Sequence, residues 1–168
     1  LSTILDDYSR YIVTWKLCST MKAEDVKDTL DEALLASNVP EKSRPKLLSD
    51  NGSCYISHEL AEYLEDKDMK HVRGRPLHPQ TQGKIERYHR SMKNIVKLDN
   101  YFSPGQLEEK LKEFVHYYNF ERYHESLQNV TPSEVYLGTA NRKIKQRKMT
   151  KNRTLIARKK QYQNFNLN

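Results

Sequence analysis

Leu47-Leu48-Ser49-Asp50-Asn51-Gly52-Ser53 decides how the rest of the chain is read. A short apolar run, entered from Lys46, ends in an acid and a turn. Such a run suits a buried strand of a parallel sheet. Asn-Gly is a common turn pair, so Asn51 and Gly52 shape the turn that exposes Asp50 and need no catalytic role. Ligand sites in open α/β sheets gather at the carboxyl ends of strands. Asp50 is therefore a candidate site residue.

A second carboxylate follows with 35 residues between, in His78-Pro79-Gln80-Thr81-Gln82-Gly83-Lys84-Ile85-Glu86-Arg87. This is a polar loop feeding a helix. Carboxylates at a strand end and on a following helix can converge on divalent cations, and hard oxygen ligands suit magnesium or manganese. The helix, expected over about residues 81–97, has two faces. Ile85, Tyr88, Met92, Ile95 and Val96 form the apolar one. Glu86, Arg90, Lys93 and Lys97 recur at i, i+4, i+7 and i+11. A charged stripe is usually just a solvated face. This one contains Glu86, so Arg90, Lys93 and Lys97 are candidate contacts to an anionic ligand, with Gln80 and Gln82 of the preceding loop; the resemblance named below makes that ligand DNA.

Before Asp50, Leu1 to Leu5 reads as a strand, Asp6 to Arg10 as a turn and Tyr11 to Leu17 as a returning strand, an antiparallel hairpin. A helix over about 22–37 carries Val26, Leu30, Ala33 and Leu34 on one face and stops at Asn38 and Pro40. Ser57 is placed to cap a helix through Leu60, Tyr63 and Leu64, and Met69 to Arg73 is a weaker strand candidate. Ser103-Pro104-Gly105-Gln106 is a helix-start signal. Leu107, Leu111, Phe114 and Tyr118 after it belong to a core. Tyr117, Tyr118, Tyr123 and His124 offer rings for base stacking, although packing is the commoner use.

The net charge of +7 is unevenly spread. No acid follows Glu134, whereas ten cations do: Arg142, Lys143, Lys145, Arg147, Lys148, Lys151, Arg153, Arg158, Lys159 and Lys160. The body before them is mildly acidic. A block like this binds a polyanion or is a solvated end. A chain of 168 residues can form a core. No apolar run approaches a membrane span and no signal-peptide pattern opens the chain. Cys18 and Cys54 are isolated, as free thiols are in a reducing compartment.

The stretches around Asp50 and Glu86, with Leu5-Asp6-Asp7-Tyr8-Ser9-Arg10, Tyr118-Asn119-Phe120-Glu121-Arg122-Tyr123-His124-Glu125-Ser126-Leu127 and Thr131-Pro132-Ser133-Glu134-Val135-Tyr136, resemble the catalytic core of retroviral-type integrases and bacterial insertion-sequence transposases of the DDE type. The resemblance spans roughly residues 1 to 138, leaving 139–168 as a basic tail. It implies an α/β, RNase H-like mixed sheet flanked by helices. It also implies metal-dependent cleavage at DNA element ends, then attack of the freed 3′-hydroxyl on target DNA. Asp50 and Glu86 would hold two Mg²⁺ or Mn²⁺ ions. The partners implied are element-end and target DNA and further copies of the chain. The setting implied is a bacterial cytoplasm, associated with the nucleoid, with no membrane. The family has a third acid, on a strand before the one that Leu1 opens. Asp6 and Asp7 match instead the aspartate ending the second strand, a turn-capping position. The chain is thus expected to begin on the second strand and to lack the first acid.

Three readings follow: a transposase or integrase core; a non-catalytic remnant that binds DNA or partner subunits; and another metal nuclease of the same fold. An upstream aspartate separates the first two, and a strand-transfer product separates the first from the third. A zinc site from His71, His78 and His89 lacks the required spacing.

Overall fold

The computed structural model describes residues 1–74, 83–97 and 99–165. They divide into two compact units, Leu1–Val115 and His116–Asn168.

The first unit opens with the expected hairpin. Strands β1 (Ser2–Leu5) and β2 (Ile12–Lys16) pair antiparallel, with Ser2 opposite Lys16 and Leu5 opposite Ile12. Asp6 closes the turn between them. Its Oδ2 accepts the Ser9 N–H at 2.7 Å and the Ser9 hydroxyl at 2.5 Å. Arg10 takes the left-handed conformation, φ 64°, and its N–H donates to the Asp6 carbonyl. Asp6 thus caps the turn.

Helix α1 (Ala23–Ser37) starts where the Asp25 carboxylate accepts the Lys22 N–H and the Thr20 hydroxyl. It ends at Asn38, left-handed at φ 49°, whose N–H bonds Leu35. Asn tolerates that conformation better than most residues, which makes it a helix stop. Strand β3 (Leu47–Ser49) pairs in parallel with β4 (His71–Arg73), Leu47 opposite His71. Between them runs α2 (His58–Asp66), whose first turn is capped by Ser57 Oγ accepting the Leu60 N–H.

Instead of one hydrogen-bonded mixed sheet, the described residues form two separate pairs, β1–β2 and β3–β4. Side chains bridge what the backbone does not. Val26 and Leu30 of α1, Leu47 of β3, Leu60 and Leu64 of α2 and Met69 form one buried cluster, with Ile4 of β1 against it. Leu30, Leu60 and Leu64 are each no more than 2% exposed. Full burial of a leucine side chain stabilises by roughly 1.5–3 kcal/mol, so this cluster dominates the unit's stability.

Helix α3 (Gly83–Val96) buries Tyr88 completely and packs its ring 5.9 Å from that of Phe114. Its apolar face is narrower than expected, because Ile95 at its margin is 39% exposed. In α4 (Pro104–Phe120), Ser103 Oγ accepts the Gln106 N–H and Gln106 Oε1 accepts the Phe102 N–H. The Ser103 bond is the one the helix-start signal predicts, whereas Gln106 reaches back one residue further than in a capping box, to Phe102 in place of Ser103. Leu111, Phe114 and Tyr118 are buried.

The second unit contains the end of α4, a short helix α5 (Pro132–Tyr136) and the long α6 (Ala140–Phe165). Thr131 and Glu134 form a capping box at the start of α5. Among the described residues, the basic tail is one continuous helix over Ala140–Phe165.

Candidate active site and nucleic-acid interface

Asp50 follows directly on β3, where the parallel pair ends. Its side chain is exposed, and Oδ1 accepts the Gly52 N–H at 2.8 Å. Among the described residues, nothing bonds the second carboxylate oxygen. A Cβ at position 52 would stand 2.9 Å from Asp50 Oδ1, closer than real contacts allow. Glycine is needed at 52 for that close approach.

Neighbouring residues pin the turn. Asn51 Nδ2 donates to the Gly74 carbonyl at 2.9 Å, tying the turn to the end of β4. The Gly74 N–H returns to the Ser49 carbonyl at 2.9 Å. Ser49, buried, donates its hydroxyl to the Asp50 carbonyl, and its Oγ lies 2.8 Å from His71 Nε2. With the hydroxyl proton so engaged, His71 Nε2 is the donor. Burial, and then the Arg73 charge, lower the His71 pKa, so the neutral Nε2–H ring is favoured. None of these ties involves the free Asp50 oxygen.

Glu86 lies in the first turn of α3 and is exposed. An acid there is favoured by the helix dipole. Two residues earlier, Lys84 Nζ donates to the Asp7 carbonyl at 2.8 Å and its carboxylate at 2.6 Å. The tip of the β1–β2 hairpin is therefore tied to the start of the helix that carries Glu86. Asp7 serves that tie, as Asp6 serves the turn. Sequence reasoning missed this pair, which spans 77 positions.

The carboxylates of Asp50 and Glu86 are exposed, all-oxygen donors, which fit a hard divalent cation. Among the described residues no three His, Cys, Asp or Glu side chains come together. The other expected contacts fall in three places. Arg90, Lys93 and Lys97 are exposed on and just after α3. Gln80, Gln82 and His78 lie outside the described residues. Arg142, Lys143, Lys145, Arg147 and Lys148 are exposed on α6.

Two of the α6 cations hold the helix to its own unit. Lys143 pairs with Glu134. Burial pushes the Glu134 pKa up, but the Lys143 ammonium and the Thr131 N–H outweigh it and hold the carboxyl below its ordinary range. Arg147 donates to the Asn129 carbonyl and stacks 5.3 Å above the Tyr123 ring. Tyr123 and Tyr117 are exposed, whereas Tyr118 is buried, with His124 edge-on at 5.0 Å. No described helix is long and apolar enough to cross a membrane.

Comparison with known proteins places this geometry. Residues 1–79 match one family model and residues 67–132 a second, both described as integrase core domain. The Gag-Pro-Pol polyprotein of mouse mammary tumor virus is 30% identical over 108 residues, 61% of this chain but only 6% of the polyprotein. Among solved structures, the simian T-cell lymphotropic virus intasome bound to PP2A regulatory subunit B56 gamma superposes with a TM-score of 0.67 at 18% identity, over 80% of this chain and 46% of that one. The catalytic core domain of BIV integrase gives 0.62 at 22% identity, over 84% of this chain and 88% of that one. The structural matches establish an RNase H-like fold in which helices flank a small mixed α/β sheet system. With both family models in register along residues 1–132, the chain belongs to the integrase core domain family.

Proposed function

We propose that this chain carries the catalytic carboxylates of a DNA strand-transfer enzyme, with residues 1–138 as catalytic core and 139–168 as a basic, DNA-binding tail. Membership of the integrase core family supports DNA integration or transposition as the process. The observation that carries the finer reading is the Asp50 turn. It presents one carboxylate oxygen at the end of a parallel strand while its surroundings are locked by hydrogen bonds that leave that oxygen free.

In this reading Asp50 and Glu86 hold a pair of Mg²⁺ or Mn²⁺ ions. Bound there, the metals supply charge neutralisation for the attacking and leaving oxygens of an in-line displacement. Gly52 fixes the rotamer of Asp50, and the start of α3 presents Glu86. A third carboxylate is required, and neither Asp6 nor Asp7 provides it, since each is engaged elsewhere. Arg90, Lys93 and Lys97 contact DNA beside Glu86, with Gln80 and Gln82 from the adjoining loop. The DNA comprises element ends and target, and the working form is a homo-oligomer. The detected polyprotein and structural relatives are retroviral. A bacterial insertion sequence, acting on nucleoid DNA in the cytoplasm, rests on the motif resemblance alone.

The assay is joining of cleaved-end duplex DNA with Mg²⁺ or Mn²⁺, on this chain and on a version extended upstream. This chain, with two of the three acids, should join poorly or not at all, and in the upstream-extended version Asp50→Asn and Glu86→Gln should each abolish joining while retaining DNA binding. Asp6→Asn or Asp7→Asn should cost far less. Equal joining by the Asp50→Asn protein would sink the assignment, and hydrolysis without joining would mark a nuclease of the same fold.

A further inference from the structure

The ten cations of α6 stand on nearly every side of the helix, with Lys145, Lys148 and Lys159 on its back, and beyond Arg147 they leave one strip uncharged. At about 100° per residue, Thr150, Thr154, Ala157, Gln161 and Asn164 recur at i, i+4, i+7, i+11 and i+14 and form one stripe about 80° wide. On one side of it stand Arg153 and Lys160, in line with Arg142. On the other stand Lys151 and Arg158. No lysine or arginine beyond Arg147 falls within the stripe. All these residues are exposed, and none of their side chains bonds another element among the described residues. Lys143 and Arg147, which open the stripe's line, are instead taken up by Glu134, Asn129 and Tyr123. The stripe is therefore free only where its uncharged residues begin.

We propose that α6 is a recognition helix for duplex DNA. Its Thr150–Asn164 stripe faces base edges in the major groove, and the two flanking cation rows meet the two sugar-phosphate backbones. A helix lying along one backbone needs a single cationic row. Two rows with an uncharged strip between them match a helix seated between two lines of phosphate. The strip has the right chemistry for reading bases. Gln and Asn pair with adenine edges, threonine hydroxyls bond either partner, and alanine or threonine methyls contact the thymine methyl. The dimensions agree as well. The stripe is about 21 Å long, and the major groove of B-DNA, about 12 Å wide, admits an α-helix. The A-form major groove of duplex RNA is too narrow for side chains to read, so DNA is the occupant.

This inference rests on the reading of DNA as substrate, but not on Asp50 or Glu86, so the test is one of binding. The full chain would be used to select from a randomised duplex DNA library. A short enriched sequence is expected, and replacing its adenines by 7-deazaadenine, which removes the N7 acceptor in the major groove, should weaken binding. Gln161→Ala and Asn164→Ala, which keep helix propensity, should lower the preference for selected over scrambled duplex by about tenfold and leave affinity for scrambled duplex unchanged. Circular dichroism would confirm that the helix persists. Arg153→Gln and Arg158→Gln should weaken both duplexes equally. The proposal is overturned if no sequence is enriched, if the 7-deazaadenine substitution is without effect, or if a minor-groove ligand displaces the protein. Either of the first two outcomes, with salt-dependent affinity retained, would leave the tail as a non-specific polycation and the strand-transfer reading untouched.

Discussion

From Ser49 to Gly52 every residue is tied by a side-chain or backbone hydrogen bond, whereas α6 runs 26 residues and touches the rest of its unit through Lys143 and Arg147 near its start. The two regions answer different demands. Strand transfer needs reacting groups held to a fraction of an ångström, and each bond around Asp50 removes one freedom of that turn. Contact with a polyanion is a sum over many weak, interchangeable charges, and a rod of helix supplies them without a fixed pocket. A substitution in the turn should therefore act sharply on chemistry. One on α6 should act gradually on affinity.

The sharpest break in this contrast is Gly52→Ala. The new Cβ would push the Asp50 carboxylate aside, and a mobile side-chain oxygen yields cheaply. Joining activity should fall at least about hundredfold, the scale of losing one aligned catalytic group, while unfolding stability changes by less than about 1 kcal/mol. A parallel loss of stability would mean that the turn serves folding first.

Ser49→Ala tests whether the locks matter. It removes the link between the half-buried His71 and the Asp50 carbonyl, and losing hydrogen bonds of this kind costs about 0.5–1.5 kcal/mol. Denaturant titration should show that loss, and joining should fall with it.

In the second unit, Glu134→Gln should loosen the start of α6 by about 1–2 kcal/mol through the weakened capping box and lost ion pair. The folded pKa of Glu134 is depressed. Its contribution is therefore complete above the unfolded value and disappears as pH falls through the lower folded one. Acid titration below about pH 4.5, followed by limited proteolysis near Gly138, should expose the α5–α6 junction in the native protein and show a smaller change in the variant.

The smallest effect belongs to Lys159→Gln, on the back of α6. Stability should stay within about 0.5 kcal/mol, and the slope of log affinity against log salt should lessen by no more than about 0.9. A large loss here would show that the back of the helix, not the stripe, meets the DNA.

Local signals were legible from the sequence. Asn38 ended α1, Ser57 capped α2, and Ser103 and Gln106 opened α4. Each depends on neighbours within a few positions. The Asp50 turn was readable for the same reason. What stayed hidden was non-local. Ser49 meets His71 across 22 positions and Lys84 meets Asp7 across 77, and no periodicity encodes such meetings. The expected mixed sheet is present among the described residues as an antiparallel and a parallel pair joined by side chains, a division the sequence does not encode. An apolar strand pattern reports burial, not the identity of the hydrogen-bonding neighbour. The loop before Glu86, with Gln80 and Gln82, lies outside the described residues.

The Lys84–Asp7 tie has a consequence for how the molecule responds to its medium. Both partners are partly open to water, so dissolved ions compete with the bond. Raising ionic strength would slacken the hinge between the hairpin tip and the first turn of α3 while the β1–β2 ladder stays closed. Amide exchange at residues 84–87 would quicken with salt before exchange in the strands does. A salt-inhibited reaction would then record two events at once: weaker capture of DNA, and a looser mounting for Glu86.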